Sequence, residues 1–359
     1  MPTETVARPD ARPTGVTERN TATLKPVLDA IPDHCYERPL AKGLAAISLA
    51  VLGYAASLAL LVVAHAWWLV VPLWVLAGLA VSGLFVLGHD AAHGALFDSK
   101  TLNRTVGRWL FLPSLHIYEA WVLGHNRIHH GHTLREGMDF VWHPLTVAQY
   151  LSLSWWQRAR HRLEWSRLGA GFYYLREVWW NKMITFTPPE RYRAAIRRDT
   201  RFVAVAATIA GVTVGAVGFV AGGPVGALWL VTKLLVVPFL VFCWFIGFTV
   251  YVHHISPDLA WWPRRRWTSF AGQVEGTTVL RTPRILNALF FHNIFVHVPH
   301  HVDVRIPFHA LPEAADAIVT AFPEDVTVRK LSMRDYMATT RACKLYDFDE
   351  QHWLNYPDR

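Results

Sequence analysis

Charge is scarce in this chain of 359 residues. Only 17% are Asp, Glu, Lys or Arg, while 52% are hydrophobic, and soluble domains carry about a quarter charged. With a mean hydropathy of +0.20, that balance excludes an ordinary soluble domain and points to a membrane protein. Cysteine is scarcer still. Cys35, Cys243 and Cys343 are scattered without pairing spacing, which excludes a disulfide framework, a zinc ribbon and an iron–sulfur ligand set. No nucleic-acid-binding motif accompanies the net charge of +8, which suits anionic headgroups instead. No signal peptide is recognisable at the start. The first forty residues are polar, with Pro and Thr, and read as disordered up to about Leu28. No internal sequence repeat is present.

What the chain has instead is long apolar runs and aromatic residues. Gly43 to Ala64 and Ala66 to Gly88 are free of charge and separated only by His65. Each approaches or exceeds the ~20 residues that cross a bilayer as a helix. A second pair, Phe202 to Ala221 and Pro224 to Val252, is joined at Gly222-Gly223-Pro224 and interrupted only by Lys233, which is expected to snorkel to the interface. Spans are therefore expected over 43–64, 66–88, 202–221 and 224–252. The segment 89–201 and the chain after Val252 are rich in Arg and Lys, whereas the two hairpin turns carry none. By the positive-inside rule both termini and the central segment lie in the cytoplasm. The 17 Trp, including Trp155-Trp156, Trp165 and Trp179-Trp180, are expected mostly at the membrane–water boundary, with residues 140–200 lying on the membrane as helices.

Three histidine clusters lie just beyond these spans: His89 and His93; His125, His129 and His130; and His297, His300 and His301. The positive-inside reading puts all three on one side. Imidazole is the commonest neutral nitrogen ligand for metals. His89 and His93, at i and i+4, share one helix face. In the second cluster an i, i+4 pair has a neighbour turned by about 100°, which allows two ligands to one ion and one to a second. The third repeats the logic at i, i+3 and i+4. Eight ligands exceed the four of a tetrahedral zinc and suit two ions with open positions. In an apolar setting such sites favour iron, which activates O₂ against an unactivated C–H bond. Asp90 and Asp139 are placed to orient imidazole N–H groups. His132 and His143 read as bystanders or outer partners, and His34, His65, His116, His161, His309 and His352 as structural.

The boxes HDAAH, HNRIHH and HVPHH, in this order around two apolar hairpins, closely resemble the membrane-bound fatty acid desaturases, in particular the acyl-lipid type that inserts Δ12 or ω-3 double bonds. The likeness runs from about Gly43 to Ala315. It includes Phe291-His292-Asn293-Ile294, Ile306-Pro307 and Tyr251-Val-His253-His254. The resemblance implies an all-α integral membrane fold of four transmembrane helices in two hairpins, with a cytoplasmic helical cap holding a di-iron site. Residues 1–40 would be a polar N-terminus, 41–315 the membrane domain and 316–359 a cytoplasmic tail. It implies two non-haem irons held by His89, His93, His125, His129, His130, His254, His297, His300 and His301, with His253 as the alternative to His254. Some relatives use an asparagine one turn before the fourth-span histidine. Here that position is Val250, and His292 is the candidate to compensate, directly or through water. The substrate would be a fatty acyl chain from the membrane. With no cytochrome b5-like segment recognisable, electrons would come from a separate ferredoxin or cytochrome b5-like donor, and the membrane would be a bacterial plasma membrane.

The same iron cage also suits a hydroxylase or a carotenoid ketolase, which ligands alone do not separate from a desaturase. A zinc-dependent membrane hydrolase or receptor, or a haem bundle with axial His pairs, are the alternatives outside that chemistry.

Overall fold

A computed structural model describes residues 23–357. Its frame is built from four long helical segments: α1 (Leu40–Val63), α2 (Trp67–His93), α3 (Glu190–Val231) and α4 (Val237–His254). Three helical runs are long and apolar enough to cross a membrane: Leu40–Val63, Trp67–His93 and the 65-residue run Glu190–His254. That last run is broken. Gly222 (φ −163°) and Gly223 (φ 63°, ψ −154°) leave helical geometry, the second in a region that glycine enters without penalty. A Cβ on Gly218 would lie 2.5 Å from the carbonyl oxygen of Gly226. In a continuous helix those residues would stand about 12 Å apart, so the chain doubles back here, at the turn expected from Gly-Gly-Pro.

α1 faces outward along most of its length, whereas α2 is buried almost without break from Ala77 to Ala92. α2 is the central helix, and its apolar residues pack on all sides rather than along one stripe. Its closest neighbour is α4. A Cβ on Gly78 would lie 2.4 Å from Val241 Cγ1, so only glycine lets the two backbones approach this far. The outward apolar side chains, among them Leu52, Val63, Val220 and Leu228, form a surface suited to lipid rather than water.

Lys233 turns its ammonium inward, to the end of α1. It is 2% exposed and its Nζ donates to the Ala64 carbonyl at 2.5 Å. The last carbonyls of a helix have no partner within it, and the ammonium supplies one at the end of α1. Around it, Trp67, Trp74 and Trp229 meet edge to face, with centroids 5.4–6.2 Å apart.

At the other end of the bundle lies a cap made from residues 94–189 and 255–357. It is mostly but not wholly helical, which corrects the all-α expectation. Strand β1 (Thr278–Arg281) pairs in parallel with β2 (Thr327–Lys330), and β3 (Leu345–Asp347) pairs antiparallel with β4 (His352–Leu354). These four strands are three or four residues long, too short for period-two alternation to register in the sequence. Within 140–200, helices form at Val147–Ser152 and Trp155–Glu164, each opened by a capping box, Thr146 with Gln149 and Ser154 with Gln157. Trp155 and Trp156 are exposed as expected, but Trp165 is buried against Trp142.

Both expected end segments are drawn into the fold where they are described. Residues 1–22 of the N-terminus expected to be disordered lie outside the described residues. Beyond them Val27, Ile31 and Cys35 are buried in a cluster with Val298 and Ile318. Helix Leu311–Ala321 runs through the expected boundary at 315, and Tyr336, Tyr346 and Trp353 belong to the main core.

Candidate metal centre

α2 delivers His89 and His93 from its last turn, and α4 delivers His253 and His254 from its own. The second box lies on a π-helical segment, Val122–His129, in which the amide of His130 donates to the His125 carbonyl. In this wider turn the backbone hydrogen bonds join residues five apart rather than four. His125 and His130 therefore point together, with Nε2 atoms 3.1 Å apart, and His129 is turned away. The expected division of two ligands and one survives, but the i, i+4 pair is not the pair that acts together. Asn126 fixes this segment to α2 through a bond from Nδ2 to the Ala92 carbonyl at 2.8 Å. Trp121 stacks on the His125 ring at 4.5 Å. The third box forms its own short helix, His297–Val302.

Two imidazole groups result. In the first, His89, His93, His125, His130 and His300 bring ligand nitrogens within 4.8 Å of one another, and His89 Nε2 lies 2.8 Å from His125 Nε2. In the second, His129, His254 and His301 do the same, their rings forming a near-regular triangle with centroids 4.9–5.0 Å apart. His297 Nε2 joins this group 3.1 Å from His301 Nε2.

Three of the four outer nitrogens of the second group are tied down, that of His297 being the exception. His129 Nδ1 donates to Asp139 at 3.0 Å, and that carboxylate also accepts from the amides of Leu134 and Val141. Burial alone would raise the Asp139 pKa, but His129 and these bonds hold it below the usual carboxylate value. His254 Nδ1 donates to the Gly276 carbonyl at 3.2 Å, and His301 Nδ1 to Gln273 Oε1 at 2.9 Å. Gln273 in turn donates to the His130 carbonyl, linking the two groups. Asp90 does otherwise than expected: it accepts from the Phe308 amide at 2.7 Å and lies 3.7 Å from His89 Nδ1, so it anchors a loop rather than an imidazole.

The donor set fits metal ions. His254 Nε2 and His300 Nε2 are buried without a hydrogen-bond partner. Burial, and after it the neighbouring imidazoles, pushes His125, His130, His297, His300 and His301 well below the usual histidine pKa. Neutral imidazoles keep their lone pairs for coordination.

The remaining histidines separate from these groups. His253 is buried beside His297 with Nδ1 bonded to Thr278 Oγ1, and of the two neighbours it is His254 whose ligand nitrogen lies with those of His129 and His301. His292 packs near Gly83, 3.4 Å from where a Cβ there would lie, and enters neither group. His116 bridges Ser114 and the Tyr174 hydroxyl. His143 accepts from the Gly137 amide, in the turn that carries Asp139. Thr133, Gln273 and Gly276 were invisible in the sequence, since nothing in their type or spacing marks a partner of histidine.

A narrow cleft leads to the two groups. Apolar residues from Phe85 and Val86 to Val178 and Ile246 line it, and His89, His125, His129, His254 and His297 stand at its wall. Val250, where an additional ligand was sought, is part of that apolar lining.

The family described as fatty acid desaturase matches residues 66–332. The chain is 29% identical over 354 residues to an sn-1 oleoyl-lipid 12-desaturase of Picosynechococcus, covering 94% of this chain and 97% of that protein. It is 27% identical to a chloroplastic omega-6 fatty acid desaturase of Brassica napus, covering 93% and 72%. An sn-1 acyl-lipid omega-3 desaturase (ferredoxin) of Synechocystis is 28% identical, covering 84% and 82%. With paired imidazole groups at the end of an apolar cleft, the chain belongs to the fatty acid desaturase family, oxidoreductases that introduce double bonds into fatty acyl chains.

Proposed function

We propose that the protein is an acyl-lipid desaturase that forms a cis double bond with O₂ at two non-haem irons, taking –CH₂–CH₂–, O₂, two electrons and two protons to –CH=CH– and two waters. The observation that carries this reading is the apolar cleft ending on both imidazole groups. Its lining is apolar apart from the histidines, Thr249 and Lys182, as in small-molecule sites where a few polar groups orient a largely apolar ligand.

His89, His93, His125, His130 and His300 would hold one ion, and His129, His254, His297 and His301 the other. When bound, iron supplies O₂ activation and the oxidising equivalents for removing two hydrogens. The chain's own residues do the rest. Phe85, Phe140 and Ile246 exclude water from the cleft, which strengthens every electrostatic interaction inside it. Asp139, Gln273 and the Gly276 carbonyl fix the orientation of His129, His301 and His254. α1, α2 and the two arms around Gly222-Gly223 form four membrane crossings, with the metal centre and both termini on the cytoplasmic side, in a bacterial plasma membrane. This reading is supported by the charge asymmetry of the loops.

The test is the lipid profile of a host expressing the chain, with double-bond positions mapped. A new unsaturated acyl species on membrane lipids, with iron in the purified protein, is the expected result. Oxygenated acyl chains or ketocarotenoids with unchanged unsaturation would overturn it.

A further inference from the structure

Close to the second imidazole group, on the outer side of the cap, lies a tryptophan that the centre's architecture does not otherwise require. The indole Nε1 of Trp267 donates to the Thr133 carbonyl at 2.8 Å. The hydroxyl of the same threonine lies 3.2 Å from His301 Nδ1. One residue, buried completely, thus separates a half-buried aromatic ring from an imidazole of the metal centre. The seat of the indole is close-fitting: a Cβ on Gly272 would lie 2.7 Å from Nε1 and 2.8 Å from the Thr133 carbonyl. The segment leading to Trp267 is also fastened to the strand of chain before Asp139, by bonds from the Trp262 amide to Leu134 and from the Glu136 amide to Trp262.

The surroundings of the ring are cationic. The Arg135 guanidinium sits 5.4 Å from the ring centroid, and the His132 ring 6.1 Å away. Burial first, then Arg135, lowers the His132 pKa; Asp139 opposes this, and Arg264 adds to it. Arg264 and Arg265 are exposed, and no ion pair to either is found among the described residues. Acidic groups border the patch: Glu136 follows Arg135 in the chain, Asp139 acts on His132, and Arg266 donates to the carbonyls of Phe348 and Asp349.

We propose that Trp267 is where electrons enter the metal centre, delivered one at a time by a small acidic electron-carrier protein that docks on the arginine surface around it. The inference rests on the desaturase reading above, whose reaction consumes two electrons per double bond. Two reduced carriers each lose one electron in successive encounters, and the two protons come from water. Opposite charges guide the carrier to the patch, and the indole, Thr133 and His301 give a bonded route inward.

The experiment uses the full-length iron-loaded protein in lipid nanodiscs, with a reduced [2Fe–2S] ferredoxin as carrier and, in parallel, a small diffusible reductant. Trp267→Leu is expected to slow turnover about ten-fold at saturating ferredoxin, with iron content and the rate on the small reductant as in wild type. Trp267→Phe guards against a folding defect by keeping most of the ring's bulk, and is expected to fall between the two. The double variant Arg264→Glu, Arg265→Glu is expected to weaken ferredoxin binding at least ten-fold and to flatten its dependence on salt, measured on the metal-free protein so that the readout does not require activity. Equal losses with both reductants, wild-type rates in Trp267→Leu on ferredoxin, or unchanged binding in the charge-reversed variant would each overturn the proposal. Wild-type protein that makes no double bond with either reductant would overturn the desaturase reading instead, while the binding measurement would still decide whether the patch takes an acidic carrier.

Discussion

The two imidazole groups lie side by side but are held differently. In the second group, Nδ1 of His129, His254 and His301 is anchored by a carboxylate, a backbone carbonyl and a side-chain amide respectively, and only the Nδ1 of His297 is buried without a partner. In the first, Nδ1 of His89, His93 and His130 is buried with no partner, and the rings are placed by helix geometry and aromatic packing, as where Trp121 stacks on His125. Hydrogen bonds to the outer nitrogen fix both the tautomer and the ring direction. One group is therefore oriented by polar bonds before any ion arrives, and the other by the rigidity of α2 and the π-helical segment. The difference follows from position. The first group sits at the end of a buried span, where polar partners are scarce, and the second sits among cap loops that supply them.

The most severe way to break the comparison is to remove one ligand from each group. His129→Ala and His300→Ala should each lower activity by more than about 100-fold, since loss of an outer-shell partner alone costs roughly 10–100-fold. Bound iron should fall with it, which metal analysis of the purified protein would read. Turnover retained in either variant would remove that histidine from the centre.

Asp139→Asn should cost about 10–100-fold in iron affinity or activity, because the bond that orients His129 loses its charge. Asp90→Asn is its control. That carboxylate serves the Phe308 amide, so the change should cost about 1 kcal/mol of stability and leave iron content near wild type. Equal iron loss in the two would erase the distinction drawn here between the carboxylates.

Gln273→Leu removes the bridge between the groups, leaving His301 Nδ1 with only the Thr133 hydroxyl and removing the Gln273 donor from the His130 carbonyl. A loss of about ten-fold in activity is expected, with the second group's ion released more readily in a chelator titration. Should the first group's ion leave first, the hydrogen-bond account of orientation fails.

The smallest effect on chemistry is expected at the far end of the bundle. Lys233→Met leaves the Ala64 carbonyl without its buried donor, at about 1–3 kcal/mol. Thermal unfolding in detergent should shift downward while iron per protein stays constant. Iron loss without a stability change would contradict the assignment of Lys233 to the end of α1.

Much of the site was legible because its residues are chemically unmistakable. Histidines in clusters at the ends of apolar runs announce a metal, and His254 could be reached by its place at the end of the last apolar run in a chain resembling known desaturases. The arrangement within a cluster was harder to read. A helix of 3.6 residues per turn pairs His125 with His129, but the π-helical turn pairs His125 with His130. Asp90 and Asp139 looked alike as neighbours of histidine, and only the fold brings one to an imidazole and the other to the Phe308 amide. Gln273 and Thr133 carry no signal at all, being common polar residues far from the boxes in the chain. The short strands β1 to β4 were missed for want of length.

The sequence by itself determined that this is a membrane-embedded chain with histidine clusters just beyond its apolar runs, because burial of apolar surface and the coordination chemistry of imidazole depend on residue type and local spacing. Tertiary structure alone decided which histidines face one another, which nitrogens are held and where an apolar cleft meets them. Those are relations between segments as far apart in the chain as His89 and His300, and they are set by how α2, α4 and the cap loops pack rather than by any local preference.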